Sequence, residues 1–211
     1  MQEHRLAVMR SARYFTLGRP EREVWFVLHG YGQLAARFLP HFEALDDGSR
    51  LIVAPEGLSR FYLTESPSER RVGASWMTKE DRLAEIEDYV RYLDAVCAAV
   101  LGSLDTARIK VTVLGFSQGA ATACRWATLG ASRVERLVLW GGEVPPDLDL
   151  SRVPRLTLVY GARDEYFTAK IVAATEARLR EHGTPYALLP FDGGHEIDAA
   201  VLKKLAVTTD D

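Results

Sequence analysis

Residues 109–126 read IKVTVLGFSQGAATACRW. An apolar run, VTVL, breaks at GFSQG and continues as an alanine-rich tract. Strong β-formers before the break and good helix-formers after it predict a strand that turns sharply into a helix. A residue held in a strained conformation at such a turn needs small neighbours two positions away on each side, and Gly115 and Gly119 stand there around Ser117. The serine would then project above the carboxyl end of a sheet, beside a helix N-terminus whose free N–H groups favour negative charge. Ala120, Ala121 and Ala123 would let that helix pack closely.

The rest of the chain fits this element into an alternating pattern. Short runs rich in Val, Leu and Ile fall at residues 14–17, 24–28, 51–53, 109–114, 137–140, 156–160 and 186–189. Several lack polar alternation, as strands do when helices cover both sheet faces. Helical periodicity occupies residues 34–45, 83–101, 117–129, 169–181 and 196–205. Leu83, Ile86, Val90, Leu93, Val96 and Val100 draw one apolar stripe, and Gly102, Gly130 and Gly183 are read as left-handed helix stops. The expected architecture is α/β: a mostly parallel seven-stranded sheet flanked by helices. GRPERE, between the first two runs, predicts an antiparallel hairpin at one edge. Residues 57–79 read as a long loop that roofs a pocket.

With 211 residues, one domain spanning 1–211 is the expectation, without a large lid domain. The 47% hydrophobic and 26% charged composition, with a net charge of −3, is that of a water-soluble chain. Interspersed charges leave no footprint for nucleic acid. The charged opening MQEHRLAVMR reads as neither a secretory signal nor an anchor, and stable membrane insertion is not expected. Cys97 and Cys124, both in helical tracts, read as buried free thiols, which points to the cytoplasm.

G-x-S-x-G in its strand–turn–helix context makes Ser117 the candidate nucleophile. A serine hydroxyl needs a base, and histidine titrates in the right range. His4, His41 and His182 lie in frayed or charged helical surroundings, and His29 reads as a satisfied structural imidazole. His195 follows FDGG after the last strand, where a loop can lean over the turn. A carboxylate must fix its tautomer. Asp164, in YGARDEYF after the strand at 156–160, is favoured by the order Ser, Asp, His, with Asp192 and Glu165 as rivals. The oxyanion formed on attack needs two N–H donors. The Gln118 amide supplies one, and the loop LHGYG, around Tyr31, the other. Phe61, Tyr62, Trp76 and Met77 are candidates for an acyl-binding groove or for plain core. No H-E-x-x-H or Cys/His spacing suits a metal, and no cofactor is expected.

GFSQG, LHGYG, GARDE and GGHEI, in this order, resemble the carboxylesterase and phospholipase branch of the α/β-hydrolases, which includes acyl-protein thioesterases. The similarity runs from about Val24 to the last helix. It implies Ser117, Asp164 and His195 as the triad and the Tyr31 and Gln118 amides as the oxyanion hole. It further implies hydrolysis of small to medium acyl esters, thioesters or lysophospholipids. Where the family follows its tryptophan with an aromatic residue and aspartate, this chain has Met77 and Thr78. Where it has a valine–proline step after the acid, Phe167–Thr168 stand, and its second glycine after the elbow is Ala120. These departures bear on the acyl pocket rather than the triad. Acyl transfer to another acceptor, or a silent binding protein on the same fold, are the alternatives.

Overall fold

The computed structural model describes residues 1–64, 70–102, 104 and 109–207. Its centre is a seven-stranded sheet formed by β1 (Tyr14–Gly18), β2 (Glu23–Leu28), β3 (Arg50–Pro55), β6 (Lys110–Phe116), β7 (Arg136–Trp140), β8 (Arg155–Gly161) and β9 (Tyr186–Phe191). The order is β1-β3-β2-β6-β7-β8-β9. All neighbours are parallel except β1, which runs antiparallel to β3. A separate two-stranded hairpin joins β4 (Ser59–Tyr62) and β5 (Val72–Ser75).

Alternate side chains of the central strands serve two cores. Phe26, Val113, Leu139 and Leu158 face α2 (Arg82–Leu101), α3 (Gln118–Leu129) and α4 (Ala169–Glu181). Trp25, Val27, Leu114, Val138 and Val159 face the short α1 (Ala35–Phe38), the 3₁₀ segment Leu39–Leu45 and α5 (Ala199–Val207). Cover on both faces explains the continuous apolar runs: every residue of β2 and β7 is buried. Each large side chain removed from water in this way contributes about 1.5–3 kcal/mol.

The structure corrects four local expectations. β1 does not form a hairpin with β2. β2 already has β3 on one side and β6 on the other, so β1, whose residues alternate between exposed and half-buried, takes the free edge of β3 with Tyr14 opposite Pro55. The helix expected over residues 34–45 is a single α turn followed by the 3₁₀ segment, with a proline at its start. Leu83 is 65% exposed and stands outside the α2 stripe, while Tyr89 and Cys97 join it. Of the three glycine stops only Gly183 is left-handed (φ +64°). Gly102 continues the helix, its N–H reaching the Ala98 carbonyl at 2.8 Å. Gly130 is extended, and a Cβ there would meet the Trp126 carbonyl at 2.6 Å.

Residues 57–79 contain the β4–β5 hairpin rather than loop alone, although 65–69 lie outside the described residues. β5 binds the loop after β2: Gly32 donates to the Ala74 carbonyl at 2.9 Å, and Ala74 donates to the Gln33 carbonyl at 3.1 Å. Among the described residues no helix is long and apolar enough to cross a membrane.

Candidate active site

From β2 the chain steps through β3 toward one edge, and from β6 it steps through β7 toward the other. The loops that follow these adjacent strands therefore leave a crevice at their carboxyl ends. The register Leu28↔Gly115 puts His29–Gly32 directly beside the turn after β6.

Ser117 occupies that turn with φ 55° and ψ −119°. A non-glycine residue there is strained and must be held by its surroundings. Its N–H donates to the Trp140 carbonyl of β7 at 2.9 Å. The flanking glycines are required by space: a Cβ at Gly115 would lie 2.1 Å from the Gly119 carbonyl oxygen, and one at Gly119 would lie 2.2 Å from that of Leu28. Gly142, after β7, is equally confined, 2.5 Å from the Ser117 carbonyl oxygen.

Asp164 and His195 meet beside this turn. Asp164, 6% exposed, accepts the N–H groups of Tyr166 and Phe167 on Oδ1, both at 2.8 Å. Its Oδ2 faces His195 Nδ1 at 2.7 Å. An acceptor-only carboxylate there fixes the proton on Nδ1 and leaves Nε2 as the basic nitrogen. The rivals are elsewhere. Asp192 pairs with Arg163 at the surface, and Glu165 is exposed. The imidazole lies 4.8 Å, centroid to centroid, from the ring of Phe116, the residue preceding Ser117. It also packs on Gly141, where a Cβ would come within 3.1 Å of it. Among the described residues the Ser117 hydroxyl forms no hydrogen bond to His195. Such bonds often tighten only around a bound substrate.

On the other flank, Gln118 is the first residue of α3, where an N–H has no carbonyl of its own helix to bind. The Tyr31 N–H likewise has no partner among the described residues. The loop around it is braced from within and below. Gly30 N–H donates to Gln33 Oε1 at 2.7 Å, and Gly32 is left-handed (φ +74°). A Cβ at Gly73 of β5 would overlap Gly32.

The Gln118 side chain ties this flank together. Its Nε2 donates to the Met77 carbonyl at 2.8 Å and to Ser75 Oγ at 3.1 Å, and its Oε1 accepts the Trp76 N–H at 3.1 Å. His29 is fully buried between neighbours, its Nδ1 on the Gly30 carbonyl at 2.8 Å and its Nε2 accepting the Gly57 N–H at 2.9 Å. Burial holds its pKa below the ordinary histidine value.

The four groove candidates separate. Trp76 is 2% exposed, and its indole N–H donates to the His29 carbonyl at 2.8 Å, so it is a wall behind the loop rather than a free lining. Met77 packs against the core. Phe61 lies against the Tyr31 ring, 5.1 Å between centroids. Tyr62 is 60% exposed, with the Arg70 guanidinium 5.6 Å from its ring. Sequence reasoning missed the Gln118 side-chain anchor and the rings around His195. The only written signal for the latter is that Phe116 and Tyr166 stand next to the motif residues.

Cys97 and Cys124 are buried free thiols, and burial pushes Cys124 up to about 12. Among the described residues no group of His, Cys, Asp and Glu is arranged to hold a metal. A groove of about 640 Å³ opens near the amino end of β6, lined by Asp94, Cys97, Ile109 and Ser132, and takes no part in this site.

No protein-family model and no curated protein matches the sequence. Solved structures do match. Esterase PE8 superposes with a TM-score of 0.71 at 21% identity, over 95% of this chain and 98% of that one. Acyl-protein thioesterase 2 of Zea mays gives 0.71 at 18% identity, over 94% and 98%. The chain has the α/β-hydrolase fold. A carboxylesterase from Mesorhizobium loti shares it, with a TM-score of 0.70 and 23% identity over 93% and 94% of the two chains. In the α/β-hydrolase fold observed here, the turn at Ser117 and the loops bearing Asp164 and His195 all follow parallel strands at one end of the sheet.

Proposed function

We propose that this protein is a serine hydrolase of carboxylic esters, acting as one domain on small to medium acyl groups and extending to thioesters or lysophospholipids. The observation that carries the reading is the strained Ser117 turn lying against an Asp164–His195 pair. Strain of this kind clusters at active sites, which supports a reactive role for the hydroxyl.

In the first half-reaction Ser117 Oγ attacks the carbonyl carbon while its proton passes to His195 Nε2. Asp164 stabilises the imidazolium through Nδ1. The carbonyl oxygen, now negative, is received by the Tyr31 and Gln118 N–H groups, each worth roughly 10²–10³ in rate at a site of this kind. The imidazolium then protonates the departing alkoxide or thiolate as the C–O or C–S bond breaks, leaving an acyl-serine. Water repeats the sequence: its proton goes to Nε2, its oxygen bonds the acyl carbon, and the acid departs as Ser117 regains its proton. The Tyr31–Phe61 pair borders the oxyanion side and offers an apolar flank to the acyl group.

Fluorophosphonate labelling tests the proposal. The wild type should label stoichiometrically and Ser117→Ala should not. A folded wild type that fails to label would mark the chain as a binding protein. A panel of p-nitrophenyl esters of rising chain length, run beside a thioester and a lysophospholipid, then defines the acyl class.

A further inference from the structure

The imidazole of His195 has a second aromatic neighbour besides Phe116. The Tyr166 ring lies 5.0 Å from it, centroid to centroid, inclined at 53°. Tyr166 is 75% exposed, so packing against the core does not hold its ring in place. Its backbone, however, is fixed: the N–H donates at 2.8 Å to Asp164 Oδ1, and the other oxygen of the same carboxylate holds the imidazole at 2.7 Å. One carboxylate thus holds the Tyr166 backbone and the His195 imidazole together. The His195 side chain retains only 18% of its exposure.

Resting on the esterase reading above, we propose that Tyr166 is a positioning residue whose ring supports the imidazolium of His195 during acyl transfer. In each half-reaction the imidazole gains a proton from Ser117 or water and gives it up to the leaving group or back to Ser117, so a positive charge appears beside the Tyr166 ring and then vanishes. An aromatic π-system within about 6 Å attracts a cation by its quadrupole, in addition to the contact that it makes with the neutral ring. The interaction therefore strengthens at the point where charge develops, which is the condition for accelerating chemistry rather than merely binding. The charged group in contact with the imidazole is Asp164. Arg163, Glu165, Asp192 and Glu196 flank it on the same two loops, with Glu143 beyond Gly141–Gly142 and His41 behind Phe38 on the Phe116 side. All of these remain when only Tyr166 is changed.

The experiment compares Tyr166→Ala and Tyr166→Phe with the wild type in two measurements. The first is an NMR titration of the His195 imidazole, which needs no turnover. The alanine variant should titrate about half a pH unit lower, and the phenylalanine variant should follow the wild type. The second is the pH profile of p-nitrophenyl ester hydrolysis. Tyr166→Ala should lower kcat about two- to fivefold with KM nearly unchanged, move the acid limb of kcat/KM downward, and regain wild-type behaviour when phenylalanine replaces alanine. An alanine variant with wild-type imidazole titration and kcat would overturn the role, as would a phenylalanine variant that behaves like alanine. Failure of the esterase reading has a different signature, a wild type that takes no fluorophosphonate, and it leaves the titration result standing.

Discussion

Asp94 and Asp164 lie near opposite ends of the sheet, and each carboxylate gathers several donors, yet only one of them holds a partner that can take up a proton. Asp94 accepts the Trp126 indole N–H at 2.8 Å, the Ala131 and Ser132 N–H groups at 2.8 and 3.0 Å, and the Ser132 hydroxyl at 2.6 Å. None of those donors changes its charge near neutral pH, so the cluster is a clasp that pins the turn after α3 to α2. Asp164 has two amide donors that are equally inert, but its third partner is an imidazole. Both are saturated with donors, Asp164 buried and Asp94 half-buried. What separates them is whether one partner can change its charge, and that is the feature to look for when a buried aspartate is weighed as catalytic.

The sharpest way to break the comparison is to neutralise each carboxylate. Asp164→Asn keeps the shape but presents an amide to the imidazole and favours the wrong tautomer, so kcat should fall about 10⁴-fold while far-UV circular dichroism stays as in the wild type. Loss of less than tenfold would contradict the assignment. Asp94→Asn should do the converse. An NH₂ group would face donors, at a cost of about 1–2 kcal/mol, lowering Tm by about 2–8 °C with kcat unaltered.

The acid limb of stability sharpens the same contrast. Burial pushes Asp94 up, but the hydrogen bonds from Ala131, Ser132 and Trp126 outweigh it, and its carboxyl lies below the ordinary value. Its contribution is therefore present above the unfolded pKa and is lost as pH falls through the lower folded one. Asp94→Asn should flatten that part of the stability curve. His29 acts at higher pH. Because burial lowers its pKa, the unfolded chain takes up a proton that the folded chain refuses. Its stabilisation is full above the ordinary histidine value and declines as pH falls toward the folded one. Wild-type Tm should drop between about pH 7 and pH 5, and His29→Gln should show a shallower slope over that range.

Most of the sheet was legible because buried strands and covering helices leave their period in the sequence, and the serine turn was legible because Gly115 and Gly119 answer to sterics within five residues. What escaped depends on distant partners. Nothing in GRPERE distinguishes a hairpin from a crossover; the outcome turns on β3 and β6 already occupying both sides of β2. The β4–β5 pairing is short, and its value lies in meeting the Gly32 loop, which no local pattern announces. Trp76 reads as a pocket lining until its indole is found bonded to the His29 carbonyl. The Gln118 side chain reads only as part of a motif until Met77 and Trp76 are seen to hold it.

The placement of β1 bears on how the chain is made. Its partner β3 begins at Arg50, so when the ribosome releases the first strand its docking edge has not yet been synthesised. At the edge β1 pairs on one side only, and its residues are exposed or half-buried, so its ladder is weakly protected. The amino-terminal eighteen residues should therefore be among the first to exchange their amide hydrogens with solvent.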